Sequence, residues 1–393
     1  MSIPQPIHPF PARMAPSIAL KQVRQLPTGS VVLDPMMGSG TVVRAASDAG
    51  HRAIGRDVDP LAVLMTRVWT TPVDTQNLLA RAETLVEEAR SLRQEEITLP
   101  WIDEDAETSQ FIEYWFAPPQ REQLRRLCVL LANSRYPEGD ALRIALSRTI
   151  ITKDHGASLA RDVSHSRPHR AFENNAYDVY SGFLQATKRL AKRFEQEPPR
   201  GNAHIALGDA RQLEIDDRSI DAVITSPPYL NAIDYLRGHR LSLVWLGHRV
   251  GNIRSIRADS IGAERAPDAN VDTTLAARVI RRMGITNQLP PRQQRLFERY
   301  VLDLAAMLGE IHRVLKIGGR AVFVLGNSCV RGVFVRNSAA VSTLAREFGF
   351  ELRHRSYRNL PESRRYLPPP TANSASGIER RMRKEVVLTF TRA

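Results

Sequence analysis

From Ser30 to Gly50 the chain reads as a short β-branched strand, SVVL, a glycine-rich turn, DPMMGSGT, and a helical run, VVRAASDAG. A strand that turns through glycines straight into a helix commits a chain to α/β organisation, because strands joined by helical crossovers lie parallel and carry helices on their faces. Gly38 and Gly40 lack a Cβ, so the backbone of the turn is open to close approach by a ligand, as in nucleotide-binding βα turns. The turn is not a P-loop, since Val42 follows where a lysine and a hydroxyl residue would be needed, and it does not fit G-x-G-x-x-G. A glycine-rich βα turn that binds nothing has the same local pattern.

Three further strands repeat the theme of chemistry at a carboxyl end. HRAIGRDVDP is a short strand ending in Asp57, with Asp59 just beyond. An acid there is placed to hydrogen-bond the hydroxyls of a ribose, and Asp57, the first past the strand, fits better; an acid in a solvated loop is the alternative. HIALGDARQL is a strand ending at Gly208 and Asp209. AVITSPPY, from Ala222 to Tyr229, is a buried strand that must leave any sheet at Pro227 and Pro228, which have no N–H. Ser226 brings a hydroxyl that accepts as well as donates, the Pro-Pro unit holds a carbonyl outward as a second acceptor, and Tyr229 adds a flat face. Two acceptors beside an aromatic plate suit a planar ring bearing an exocyclic NH2. Taken alone, the tetrapeptide reads more readily as a surface turn.

Between these ends the pattern is helical from about Thr71 to Arg200, where NLLARAETLVEEARSL, REQLRRLCVLLAN and ALRIALSRTII carry apolar residues at helical spacing. These stripes are packing faces. The loop from Lys153 to Arg170 is basic and holds His155, His165 and His169, which lack the spacing and company of a zinc site and suit phosphate contact better. After the Pro-Pro turn a helix begins at NAIDYLRGHRLSLVWLGHRV and loses regularity to about Pro291 in an arginine-dense stretch. A long helix, RQQRLFERYVLDLAAMLGEIHRVL, leads through a KIGG turn to the strand RAVFVLGNS, a helix AAVSTLAREFG and strands near Phe350 to His354 and at EVVLTF.

Among 393 residues, Lys plus Arg number 55 against 42 acids, giving a formal charge of +13 and a pI near 10.2. Only Lys21, Lys153, Lys188, Lys192, Lys316 and Lys384 are lysine, and arginine's planar fork suits phosphate and base edges, so a polyanionic partner is favoured over a compositional bias toward arginine. Cys128 and Cys329 are too few for a disulfide framework, which fits a reducing cytoplasm. The proline-broken start does not read as a secretion signal, and no run of about 18 apolar residues argues for a membrane span.

In order along the chain, these segments resemble the S-adenosylmethionine-dependent amino-methylating DNA methyltransferases. DPMMGSGT resembles their first motif, usually D-P-F-x-G-S-G-T, with Met36 where phenylalanine is usual; GRDVDP resembles the second, GDA the third and TSPPY the catalytic fourth. IHPFPARMAP is similar to the segment, motif X, that packs over the methionine end of the cofactor, and KIGGRAVFVLGNS to the turn and fifth strand of the fold. The resemblance is good at both ends and poor from about Thr71 to Arg200 and from Arg237 to Pro291.

It implies an α/β, Rossmann-like class I fold with a mostly parallel seven-stranded sheet, made of residues 1–71 and 200–393, a helical insertion at 72–199 and an arginine-rich insertion at 237–291, either of which could carry target recognition. S-adenosylmethionine is the implied cofactor, held by Phe10, Pro11, Asp34, Pro35, Met36, Gly38, Ser39, Gly40 and Thr41, with Asp57 on the ribose and Asp209 and Ala210 near the adenine. Ser226, Pro227, Pro228 and Tyr229 are the implied catalytic residues, and double-stranded DNA with a flipped target base is the implied partner, contacted along its backbone by Arg237, His239 and Arg240. No metal and no membrane are implied; a paired restriction nuclease and the oligomeric state stay open. Ser-Pro-Pro-Tyr occurs more with N4-cytosine enzymes, so N4 of cytosine is the first expectation and N6 of adenine the second. An RNA methyltransferase and a nucleic-acid-binding protein that has lost catalysis are the rivals. All of these readings need Gly38 and Pro227 to line one cleft.

Overall fold

The computed structural model describes residues 4–10, 13–132, 134, 137–152, 156–161, 168–230, 235–263, 273–285, 290–330, 333–360 and 384–393. Seven strands form one sheet: β1 (Val31–Asp34), β2 (Arg52–Asp57), β3 (Ala203–Leu207), β4 (Ile220–Thr225), β5 (Leu315–Gly326), β6 (Phe350–Asn359) and β7 (Lys384–Arg392). Their order across the sheet is β6-β7-β5-β4-β1-β2-β3, with β1 to β5 mutually parallel and β7 inserted antiparallel between β5 and β6. This is a Rossmann-like α/β fold. The strand order reverses between β1 and β4, where Leu33 pairs with Val223, and open α/β sheets bind ligands beyond the carboxyl ends at such a point.

Fourteen helices accompany the sheet among the described residues. In chain order they are α1 (Pro16–Val23), α2 (Thr41–Asp48), α3 (Pro60–Thr70), α4 (Thr75–Ser91), α5 (Pro100–Asp103), α6 (Ala106–Trp115), α7 (Pro118–Ala132), α8 (Gly139–Ile150), α9 (Val179–Gln196), α10 (Tyr235–Leu243), α11 (Val250–Asp259), α12 (Thr273–Arg282), α13 (Pro291–Val314) and α14 (Asn337–Glu347). Aspartates start several of them: Asp59, Asp74, Asp105 and Asp178 each accept a backbone N–H in the first turn of α3, α4, α6 and α9. Against one face of the sheet α12, α13 and α14 bury Val279, Tyr300, Leu304 and Val341 on Val223, Phe323 and Leu388. On the other, α1 and α2 bury Ala19, Val23 and Val42 on Val32, Ile224 and Val324.

The helices of residues 72–199 do not build a separate core. Leu61, Met65 and Trp69 of α3 and Leu241, Trp245 and Ile253 from α10 to α11 share one apolar cluster with Leu78, Leu127, Leu142 and Phe183. Arg44 of α2 fastens the exit of that region back to the sheet domain: its 1% exposed guanidinium donates to the carbonyls of Trp69 at 2.6 Å, Pro198 at 2.9 Å and Glu197 at 3.0 Å and to Asp48 at 2.7 Å.

Two local expectations are corrected. The stretch read as irregular up to Pro291 contains α11 and α12, and α12 buries Ala276, Val279 and Ile280 at helical spacing, a stripe obscured by arginines on its other face. KIGG does not precede the strand but lies within β5 as a bulge: the register passes from Ile220↔Leu315 to Ala222↔Arg320, with Gly318 at φ 72.

Candidate active site at the carboxyl edge of the sheet

The glycine turn leaves β1 as Asp34 and reaches α2 at Thr41. Gly40, at φ 79, is the N-cap of α2, and a Cβ there would lie 2.6 Å from Cγ2 of Thr66, so no side chain fits. Thr66 also donates to the Gly38 carbonyl at 3.0 Å, which ties the turn to α3. Phe10 lies over Gly38, whose Cβ, if it had one, would stand 3.0 Å from the ring. Pro35 and Ser39 are buried and Met36 is half-buried. The Thr41 hydroxyl is buried without a hydrogen-bond partner, at the first residue of a helix whose N-terminal N–H groups favour anionic or lone-pair donors.

Two acids meet at this turn. Asp57, at the end of β2, accepts from the Gly38 N–H at 2.8 Å and the Asp59 N–H at 3.0 Å. Asp34 accepts from the Thr225 hydroxyl at 2.7 Å and the Met36 N–H at 3.2 Å. Burial pushes Asp34 up to about 7, and burial with the neighbouring Asp59 pushes Asp57 up to about 6. The Asp57 carboxylate adds to the rise at Asp34, and no ion pair to Asp34 is seen among the described residues.

The Pro-Pro turn leaves the neighbouring strand β4 at Thr225, so the hydroxyl that reaches Asp34 belongs to the residue immediately before Ser226. Ser226 donates to the Val324 carbonyl of β5 at 2.9 Å and stands 3.5 Å from the Tyr229 hydroxyl. A carbonyl only accepts, so the Ser226 proton is committed to Val324 and the remaining lone pairs of its oxygen are acceptors. Tyr229 is half-buried, and the Pro228 carbonyl accepts from the Tyr300 hydroxyl at 3.1 Å.

At the third acidic position, Asp209 is gripped by Arg211, whose Nη2 lies at 2.6 Å and Nε at 3.0 Å, and Arg211 in turn reaches Asp303 of α13 at 2.7 Å. The carboxylate of Asp209 holds the Arg211 guanidinium firmly protonated. Ala210 is buried beside it.

Of the residues expected on a DNA backbone, Arg237 is exposed and Arg240 is half-buried, its guanidinium 5.1 Å above the Phe111 ring of α6. His239 is corrected: at 6% exposure it faces inward, its Nδ1 hydrogen-bonded to the buried carboxylate of Asp59 and its ring 5.5 Å from that of Phe10, so a phosphate cannot reach it. His169 is exposed on a short ribbon, whereas His155, His165 and Pro11 lie outside the described residues. No group of three His, Cys, Asp or Glu among the described residues could hold a metal ion, and no described helix is long and apolar enough to cross a membrane.

No family model matches the chain. It is 23% identical to the type II methyltransferase M.MvaI of Kocuria varians over 97% of its own length and 89% of that protein. The chain is similar to type II methyltransferases. A second relative is M.AvaI of Nostoc sp., 24% identical over 82% of this chain and 73% of that one. Among solved structures, a SAM-dependent methyltransferase of Methanosarcina mazei aligns over 97% of this chain and 98% of its own, with 9% identity and a TM-score of 0.34.

The residues that sequence reasoning missed act at one remove. Thr225 and Thr66 are ordinary strand and helix residues in one dimension, and Val324 contributes only a carbonyl. Tyr300, 72 positions from Pro228, has no local signal at all.

Proposed function

We propose that the chain is a site-specific DNA methyltransferase that moves a methyl group from S-adenosylmethionine to the exocyclic N4 of cytosine in duplex DNA. The observation that carries this reading is the 2.7 Å hydrogen bond from Thr225 to Asp34: it joins the end of the strand bearing Ser-Pro-Pro-Tyr to the start of the glycine turn, on neighbouring parallel strands at the switch point. Similarity to type II methyltransferases over nearly the whole chain supports it.

The turn fits a cationic nucleoside. Gly38 and Gly40 let the turn pack tightly under Phe10 and against Thr66, the Thr41 hydroxyl is an orphan at the start of α2, and two carboxylates with raised proton affinity are the complement of an ammonium group and of ribose hydroxyls. Asp34 and the Gly38 to Gly40 backbone would hold the amino-acid end, Asp57 the ribose, and Asp209, oriented by Arg211, would border the adenine. Pro35, Met36, Ser39 and Ala210 shape the walls, and Phe10 covers the turn. S-adenosylmethionine, when bound, supplies a methyl carbon already activated by its cationic sulfur. The protein's part is then positioning. Ser226 Oγ and the Pro227 carbonyl accept from the two amine hydrogens, which draws the nitrogen lone pair out of conjugation with the base, and Tyr229 stacks on the flipped ring. Methylation makes the amine cationic and acidic enough to release its extra proton to solvent, so no strong base is required of the chain.

The net charge of +13 and the exposed Arg237 suit the DNA backbone, and residues 72–199 and 237–291 are the regions we assign to target recognition. Two cysteines in a chain of this length suit the cytoplasm. The test is incubation with labelled donor and unmodified duplex DNA, followed by nucleoside analysis. We expect label in N4-methylcytosine. Label in N6-methyladenine would move the assignment to adenine, and label in RNA alone would end it. Ser226→Ala is expected to abolish transfer while leaving donor affinity intact.

A further inference from the structure

Two consecutive prolines bring no backbone N–H, so the Pro227–Pro228 turn is fastened only through its carbonyls and its flanks. On the Ser226 side the fastening is the bond to Val324. On the other side it is Tyr300 of α13, a side chain at 0% exposure whose hydroxyl donates to the Pro228 carbonyl at 3.1 Å. Gly262 closes over the ring, with room for a Cβ only 3.5 Å from Cδ2. Packing alone does not call for a hydroxyl here: Phe297, one turn earlier on the same helix, is 1% exposed and apolar. A phenol buried this deeply must spend its one polar group on a partner, and the partner is the turn itself.

We propose that Tyr300 is a positioning residue for the transfer. By taking the Pro228 carbonyl it fixes the plane of the turn, so that the Pro227 carbonyl and Ser226 Oγ address the same amine and Tyr229 is presented to the ring. This rests on the function proposed above. It also makes α13 part of the site, since Asp303, three residues on, orients Arg211 and through it Asp209.

The experiment compares the full chain with Tyr300→Phe, using labelled S-adenosylmethionine and unmodified duplex DNA at saturation, with donor binding by calorimetry and thermal melting in parallel. Tyr300→Phe is expected to lower the maximal rate by about 10- to 100-fold, because a small misplacement of acceptor groups carries that cost. Donor dissociation constants should stay within about two-fold, so that the loss appears in kcat and not in donor binding. Tyr300→4-aminophenylalanine, which keeps a donor on the same ring, should recover most of the rate. Tyr300→4-fluorophenylalanine, which fills the space of the hydroxyl without donating, should lose it as phenylalanine does and serves if Tyr300→Phe fails to melt cooperatively. A folded, donor-binding Tyr300→Phe or Tyr300→4-fluorophenylalanine protein with the wild-type rate would overturn the proposal. If the wild-type chain itself transfers no label to DNA, it is the proposed function that fails.

Discussion

Asp34 shows how one buried carboxyl couples folding to pH. Its Oδ1 accepts from Thr225 and Met36, yet burial outweighs both bonds and raises its proton affinity to about 7 from 3.8. The folded chain therefore binds this proton more tightly than the unfolded chain, and the ligand-free protein loses stability as pH rises from about 4 to about 7, with no further loss above. Asp57, at about 6, acts in the same direction over a narrower window. A cationic ligand inverts the relation, because it favours the ionised form. Donor affinity is expected to rise with pH across neutrality, and Asp34→Asn, which keeps an acceptor oxygen for Thr225, should melt higher than wild type at alkaline pH while binding donor more weakly. Melting curves and titration calorimetry over that range check both halves; a donor affinity independent of pH in the wild type would remove Asp34 from the binding account.

Among the elements, α2 and α13 do more than cover the sheet. Arg44 of α2 gathers three carbonyls from the boundaries of the 72–199 region together with Asp48, whose side chain is 10% exposed, whereas Arg67 of α3 reaches Asp140 of α8 with 47% of its side chain in solvent. Both link the sheet domain to the helical region, but their energies differ by the water around them. Arg44→Ala removes the cation from the half-buried Asp48, which keeps only the Arg200 N–H, and strands several carbonyls, and is expected to cost about 3–5 kcal/mol, while Arg67→Ala should cost about 1 kcal/mol or less. Denaturant titration of the two variants measures the contrast. Equal losses would mean that the buried network relaxes onto water.

For the molecule as a whole, residues 72–199 are inserted in sequence but not in packing. Leu61, Met65 and Trp69 of α3 and Leu241 and Trp245 beyond the Pro-Pro turn are buried in one cluster with residues of α4, α7, α8 and α9, so the helical region completes the core on which the candidate site's own helices rest. Cutting it out would expose those side chains to water, each worth about 1.5–3 kcal/mol of lost burial. A chain with 72–199 replaced by a short linker is expected to aggregate or to lack a cooperative melt, as read by sedimentation and circular dichroism. A soluble, donor-binding product would instead make the region a detachable module.

Local chemistry was legible in one dimension wherever a residue's role depends on its neighbours in the chain: the strand–glycine–helix turn, the acids ending β2 and β3, and the Pro-Pro exit from β4 all follow from backbone restrictions that act over a few residues. The helical stripes from Thr71 onward were legible for the same reason, while α12 was hidden because arginines of its opposite face interrupt its apolar residues along the sequence. What only the tertiary structure decided is which groups meet. That Thr225 bonds Asp34, that His239 turns inward to Asp59 and not outward to phosphate, and that Tyr300 fastens Pro228 depend on strand order and helix packing, which bring together residues tens to hundreds of positions apart. Periodicity reports which face of an element is apolar; it carries no record of the polar atom across the gap, and hydrogen bonds between distant side chains are written only in three dimensions.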